Sequence, residues 1–197
     1  IWTTPTVDAQ RGQVYVTTGE NTSHPTTNTS DSVIALNLET GEANWVFQAL
    51  ENDMWNFACT ADGPNCIILD NTNSVDFDFG GPAILVDGDG RELLIAGQKS
   101  GDLWALDPDT GALVWNQRVG EGTALGGNHW GIATDSERAF MTINDPGTMG
   151  ENIRPGIYTY FVATGEPSWS YEVESECGEQ RSDRLRRCES LYGFSAT

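Results

Sequence analysis

Basic residues are scarce: ten Lys and Arg stand against 29 Asp and Glu, for a formal net charge of −19. Phosphate backbones need cations to neutralise them, so this balance argues against a nucleic-acid partner. No apolar run approaches the ~20 residues of a membrane-spanning helix, and no transmembrane segment is expected in this stretch. Cys-x-x-Cys is absent, and the two histidines, His24 and His129, lie far apart, which excludes a zinc site of the usual spacing. The chain opens on Ile1 rather than Met, and no secretory leader is visible. The acidic excess favours a highly soluble protein and reads as a solvated surface rather than an acidic binding site.

The four cysteines form two local pairs, Cys59 with Cys66 and Cys177 with Cys188. Both pairs sit in polar, loop-like stretches. Two loop-closing disulfides are expected, and with them an oxidising compartment, periplasmic or secreted. Four free thiols are the competing reading. Asn21-Thr22-Ser23 and Asn28-Thr29-Ser30 fit the glycosylation triplet, a pattern that also arises by chance.

What is present above all is a repeat. Ala35-Leu36-Asn37-Leu38-Glu39-Thr40-Gly41-Glu42-Ala43-Asn44-Trp45 recurs as Ala105-Leu106-Asp107-Pro108-Asp109-Thr110-Gly111-Ala112-Leu113-Val114-Trp115. A worn copy runs from Thr159 to Trp169. In each, a strand ends, a Thr-Gly turn reverses the chain, and a second strand carries Trp. One hairpin cannot bury that Trp alone, but stacked sheets can, so the repeat predicts a β-propeller. A first-strand element precedes each copy, at Thr4–Asp8, Gly81–Asp87 and Gly131–Asp135. Second strands are expected around Val14-Tyr15-Val16, Leu93-Leu94-Ile95-Ala96 and Ala139-Phe140-Met141.

The fold class is therefore all-β, with about three blades. The Trp positions are 70 and 54 residues apart, so residues 50–78 and 146–156 read as inserted loops. Three blades do not close a ring of roughly four to eight. Residues 1–197 are thus expected to be part of a larger propeller.

Several stretches resemble the quinoprotein alcohol dehydrogenases, which hold pyrroloquinoline quinone (PQQ) in an eight-bladed propeller. The polyvinyl-alcohol-dehydrogenase-like branch looks nearest. The carrying residues are Ile1-Trp2-Thr3-Thr4-Pro5, Thr18-Gly19-Glu20-Asn21, Gln48 with Asp53-Met54-Trp55-Asn56-Phe57-Ala58-Cys59, Gly97-Gln98-Lys99-Ser100-Gly101 and Gly126-Gly127-Asn128-His129-Trp130-Gly131. The resemblance implies PQQ and Ca²⁺ as cofactors, an alcohol substrate (secondary or polymeric) and a cytochrome c electron acceptor. It leaves open a haem c on a domain outside this stretch.

Carried over position by position, the resemblance places Trp2 under the flat PQQ ring, where a broad aromatic face is needed. A packing role between blades is the alternative. Glu20 falls where the family has a calcium-ligating Asn, and Asn21 serves if the register slips by one. Lys99 matches a cation that bonds the quinone oxygens; a plain turn lysine is the competing reading. Trp130 either lines the central pocket or packs. Asn56 falls at the position of the catalytic Asp, close to the metal, yet an amide accepts no proton at working pH. Asp53 is the nearest carboxylate and the expected substitute base. Ala58 lacks the extra carboxylate of lanthanide-using relatives, which favours calcium. The alternative function is a non-enzymatic propeller scaffold resembling outer-membrane assembly factors.

Overall fold

The computed structural model describes residues 1, 3–61, 63–69, 72–144 and 155–173. These form three four-stranded antiparallel sheets, each built of consecutive strands. The first holds β1 (Thr6–Asp8), β2 (Gln13–Thr17), β3 (Ser32–Asn37) and β4 (Ala43–Gln48). The second holds β5 (Ile84–Gly88), β6 (Arg91–Gly97), β7 (Asp102–Leu106) and β8 (Leu113–Arg118). The third holds β9 (Ile132–Thr134), β10 (Arg138–Ile143), β11 (Gly156–Phe161) and β12 (Pro167–Glu172). This up-and-down order repeated in stacked sheets is the expected propeller arrangement.

The second sheet is buried on both faces, and strand β6 shows how. Leu93 and Ile95 join a core shared with the third sheet, next to Met141 and Tyr160. Leu94 and Ala96 alternate to the other face and meet Tyr15, Val33 and Ala35 of the first sheet. A strand covered on both sides needs an unbroken apolar run, and Leu93-Leu94-Ile95-Ala96 supplies it.

The Thr-Gly-x-x-x-Trp repeat has a mechanical explanation. Asn37 Oδ1 accepts the N–H groups of Glu39 and Thr40, and Asp107 Oδ1 accepts those of Asp109 and Thr110. These side chains fix the turn, and Gly41 and Gly111 complete it at a φ of 72°. In the worn copy Phe161 takes the Asn/Asp place, so that cap is gone, yet Gly165 keeps the same φ. Each Trp lies beside a register shift in its hairpin. The Trp45 indole N–H donates to the Pro108 carbonyl at 3.2 Å, and that of Trp115 to the Val162 carbonyl at 2.9 Å. Trp45 and Trp115 thus each dock on the turn of the following sheet.

That docking demands glycine for a second reason. A Cβ on Gly111 would lie 2.5 Å from the Trp45 ring, whereas one on Gly41 would meet nothing within 4 Å. Gly41→Ala is therefore expected to cost only the left-handed backbone penalty of about 1–2 kcal/mol. Gly111→Ala adds roughly 1–3 kcal/mol of overpacking. Denaturant unfolding of the two variants checks the difference; equal losses would contradict the docking.

Asp87-Gly88-Asp89-Gly90 forms the tight β5–β6 hairpin turn. Its two central residues, Asp89 and Gly90, both have positive φ, as a type I′ turn requires. Cys59 and Cys66 are joined, which closes a short loop around the 3₁₀ turn Phe57–Ala61. The expected Cys177–Cys188 pair and the residue Trp2 lie outside the described residues.

Candidate functional site

Three connections of the first two sheets bring charged side chains together. The β2–β3 connection carries Glu20 and Asp31. The long β4–β5 connection carries Asp53, Asp76 and Asp78. The β6–β7 turn carries Lys99, and closes with a Gly101 N–H to Gln98 carbonyl bond of 2.9 Å.

Lys99 is the centre. It does sit on a hairpin turn, but its side chain runs inward and the residue is only 4 % exposed. Its ammonium donates to Asp76 Oδ1 at 2.8 Å and to Asp78 Oδ2 at 2.7 Å. The backbone of this turn is held to the same segment, since the Lys99 N–H donates to the Asp78 carbonyl at 3.0 Å. Gln98 adds a latch: its amide N–H donates to the Phe77 carbonyl at 2.7 Å, while its oxygen accepts from Trp104 and Ser100.

Glu20 lies on the other side of Asp78. Its backbone N–H donates to Asp78 Oδ1 at 3.0 Å. The approach is close because residue 19 has no side chain; a Cβ there would fall 1.8 Å from Asp78 Oδ1. Carboxylate oxygens of Glu20, Asp76 and Asp78 all lie within 4.8 Å of one another. Phe79, fully buried in the core between the first two sheets, anchors the segment that delivers Asp76 and Asp78.

Two further acids stand behind these three. Asp53 is fully buried and accepts the N–H groups of Val75 at 3.2 Å and Phe77 at 3.3 Å. It thereby shapes the bend that presents Asp76, whose φ is 57°. Asp31 is also fully buried, and neither of its carboxylate oxygens has a hydrogen-bond partner. Its φ of 46° is again left-handed. Asp tolerates that region, and such residues cluster at functional sites.

The electrostatics follow from five carboxylates around one ammonium. Burial, then the Asp78 carboxylate, pushes Glu20 up to about 8. Burial, then the charges of Asp53, Asp78, Glu20 and Asp76, pushes Asp31 up to about 9. Burial raises Asp76 to about 6 against the pull of Lys99. Burial also raises Asp53, against the two backbone N–H groups it accepts. Asp78 goes the other way: burial is outweighed by hydrogen bonds from Glu20 and Lys99, and it stays below the usual carboxylate range. Burial works against the Lys99 charge too, but Asp76 and Asp78 hold its pKa above the ordinary value.

The residues expected from the sequence are only partly gathered here. Glu20 and Lys99 meet in the cluster, with Asp53 behind it. The Asn21 side chain instead accepts from the Thr27 hydroxyl at 3.0 Å and donates to the Asp53 carbonyl. The Asn56 amide donates to the Asn65 carbonyl at 3.1 Å and braces the disulfide loop. Trp130 is 78 % exposed and packs against His129 in a tilted contact, with ring centroids 4.7 Å apart. Its backbone lies near the cluster, because the His129–Gly131 stretch rests on Gly80 and Gly81. Asp31, Asp76 and Asp78 were not legible as site residues. Asp76-Phe77-Asp78 stands just before the Gly80-Gly81 start of the second sheet, and that position is the one available signal.

Comparison with known proteins now bears on this geometry. Residues 1–116 match the family model for the β-propeller domain of PQQ-containing glucose, ethanol and alcohol dehydrogenases. The chain belongs to this PQQ dehydrogenase family. All six residues of the charged cluster fall within the matched stretch. The chain is 35 % identical over 173 residues to a polyvinylalcohol dehydrogenase of Pseudomonas sp., covering 87 % of this chain and 26 % of that protein. It therefore spans about a quarter of that relative's length. Among solved structures it is similar to a europium-containing methanol dehydrogenase, with a TM-score of 0.54 and 17 % identity over 91 % of this chain and 26 % of the other. It is also similar to BamB from Moraxella catarrhalis, with a TM-score of 0.51 and 21 % identity over 88 % of this chain and 37 % of the other. These two likenesses speak to the propeller fold.

Proposed function

We propose that residues 1–197 are part of an eight-bladed quinoprotein that oxidises alcohols with PQQ. The observation that carries this reading is Lys99 buried among carboxylates, within the residues that match the PQQ dehydrogenase family. The polyvinylalcohol dehydrogenase relative supports secondary or polymeric alcohols as substrates. Electrons pass on to a cytochrome c, in the periplasm or outside the cell, with any haem c on a domain outside this stretch.

The residues present fit the cofactor on one condition. PQQ is an anion, and an unneutralised acidic cluster repels it. A divalent cation removes that repulsion, and the donor set here is all oxygen, as calcium requires. The orphaned carboxylate of Asp31 and the close approach of Gly19 to Asp78 support this reading. By the resemblance, Trp2 and Trp130 are the aromatic residues assigned to the flat ring.

When bound, PQQ would supply the hydride-accepting chemistry for alcohol oxidation. Lys99 would supply a fixed positive charge to stabilise the negative charge that develops on the cofactor. The alcohol proton passes to a carboxylate. Both oxygens of Asp53 accept backbone N–H groups, which suits a positioning role. Asp76 binds Lys99 through Oδ1 and has its pKa raised to about 6 by burial, which makes it the better acceptor. Asn56, an amide, takes no part in that transfer.

Reconstitution of the full-length protein with PQQ and calcium is expected to give dye-linked alcohol oxidation. Lys99→Ala and Trp2→Ala should each lower cofactor affinity and turnover tenfold or more. Asp76→Asn should lower turnover by roughly two orders of magnitude, the scale of losing a general base, with PQQ still bound. Unchanged turnover in all three variants would overturn the assignment. A protein that binds no PQQ would favour the scaffold reading.

A further inference from the structure

We propose that Asn128 is a positioning residue for Lys99: it ties the turn that carries the lysine to the third sheet and so sets where the ammonium stands. This deepens the quinoprotein reading and takes its purpose from it, but the tie belongs to the fold and is measurable without the cofactor.

The β6–β7 turn is gripped from two sides. Asp76 and Asp78 hold the Lys99 ammonium from the β4–β5 connection. The β8–β9 connection, residues 119–131, wraps the backbone of the turn from the other side. The Val119 N–H donates to the Gly101 carbonyl at 2.9 Å, and the Asn128 N–H donates to the Gln98 carbonyl at 3.1 Å. The approach is too close for a side chain at Gly127, where a Cβ would fall 1.8 Å from the Lys99 carbonyl oxygen.

Asn128 joins this grip to the third sheet. It is fully buried, and its side-chain amide donates to the Gly131 carbonyl at 2.7 Å and to the Thr142 carbonyl of β10 at 3.0 Å. Asn144, just past β10, returns a bond from its N–H to the Gly127 carbonyl at 3.0 Å. The Asn128 side-chain oxygen has no hydrogen-bond partner and lies against the end of β6, since a Cβ on Gly97 would come 2.3 Å from it. The position therefore uses Asn for its two donors. Aspartate has the same shape but no N–H to offer the two carbonyls. Losing the donors leaves buried carbonyls unpaired and frees the connection that backs the turn. A lysine that must face a reacting group needs such backing, because a shift of about 1 Å is enough to weaken a positioned contact.

The test combines a double-mutant cycle with hydrogen exchange, both on the full-length protein. PQQ affinity is measured by absorbance titration with calcium present. Asn128→Ala should weaken PQQ binding about tenfold when Lys99 is present and less than twofold in the Lys99→Ala background, because the two residues act as one unit. Equal losses in both backgrounds, or no loss in the first, would overturn the positioning role. Amide exchange without PQQ gives the second readout. In Asn128→Ala the Lys99 and Gly101 amides, which bond to the Asp78 and Gln98 carbonyls, should exchange at least tenfold faster, while those of β2 and β3 keep their protection. Unchanged protection at Lys99 and Gly101, or a uniform acceleration everywhere, would overturn the tie. Asn128→Ser, which keeps one donor, serves where Asn128→Ala does not fold. A wild type that binds no PQQ sinks the quinoprotein reading, and exchange alone then decides the tie. PQQ binding with an additive cycle sinks the positioning role alone.

Discussion

Replacing Lys99 with Met is expected to destabilise the protein by about 3–5 kcal/mol at neutral pH, the usual loss when one partner of a buried ion pair is removed. The ammonium is almost inaccessible to water and serves two carboxylates at once, at 2.8 and 2.7 Å. Met replaces most of its volume, so the loss reports charge rather than packing. Asp76 and Asp78 then face each other with no cation between them. The penalty should shrink at low pH, where both carboxyls take up protons. The double variant Lys99→Met, Asp76→Asn should recover part of the loss. Denaturant unfolding across pH measures all of this. A loss under 1 kcal/mol at neutral pH would mean that the trio is solvated like a surface pair.

The second large effect is a pH dependence centred on Asp31. Its carboxyl, raised to about 9, binds a proton in the folded chain that the unfolded chain releases near 4. Between those values the folded state holds more protons, so stability falls as pH rises. The slope for one such group approaches roughly 1.4 kcal/mol per pH unit. Glu20, raised to about 8, adds to the slope in the same direction. Asp31→Asn should flatten the curve between pH 5 and 8.5 and leave stability near pH 4 almost unchanged. Asn also tolerates the left-handed backbone at this position. Calcium should oppose the fall in the wild type. A variant with the wild-type slope would show that Asp31 reaches water.

The contrast between what the sequence disclosed and what it hid has a physical basis. The propeller was legible because its signals are local and repeated. The Asn/Asp-to-Gly turn, the docking Trp and the doubly buried strand at Leu93–Ala96 each need a residue type at a fixed spacing. Lys99 and Glu20 were legible through the stretches around them that resemble the family. Asp31, Asp76 and Asp78 were not, because nothing in a local pattern marks a loop acid as buried. The acidic excess read as a solvated surface, yet five of those acids gather around Lys99. The stretch 50–78 read as an inserted loop; it carries Asp53, Asp76 and Asp78 into the site. What brings them together is long-range: the Gly19 approach to Asp78, the Asp53 bonds to Val75 and Phe77, and the Phe79 anchor in the core.

Binding of PQQ to the chelator-treated full-length protein, with and without added calcium, tests the central claim most directly. The expected result is one PQQ per protein in the presence of calcium and binding at least tenfold weaker in its absence, with Lys99→Ala impaired in both conditions. No PQQ binding with calcium present would contradict it and leave a propeller without the chemistry.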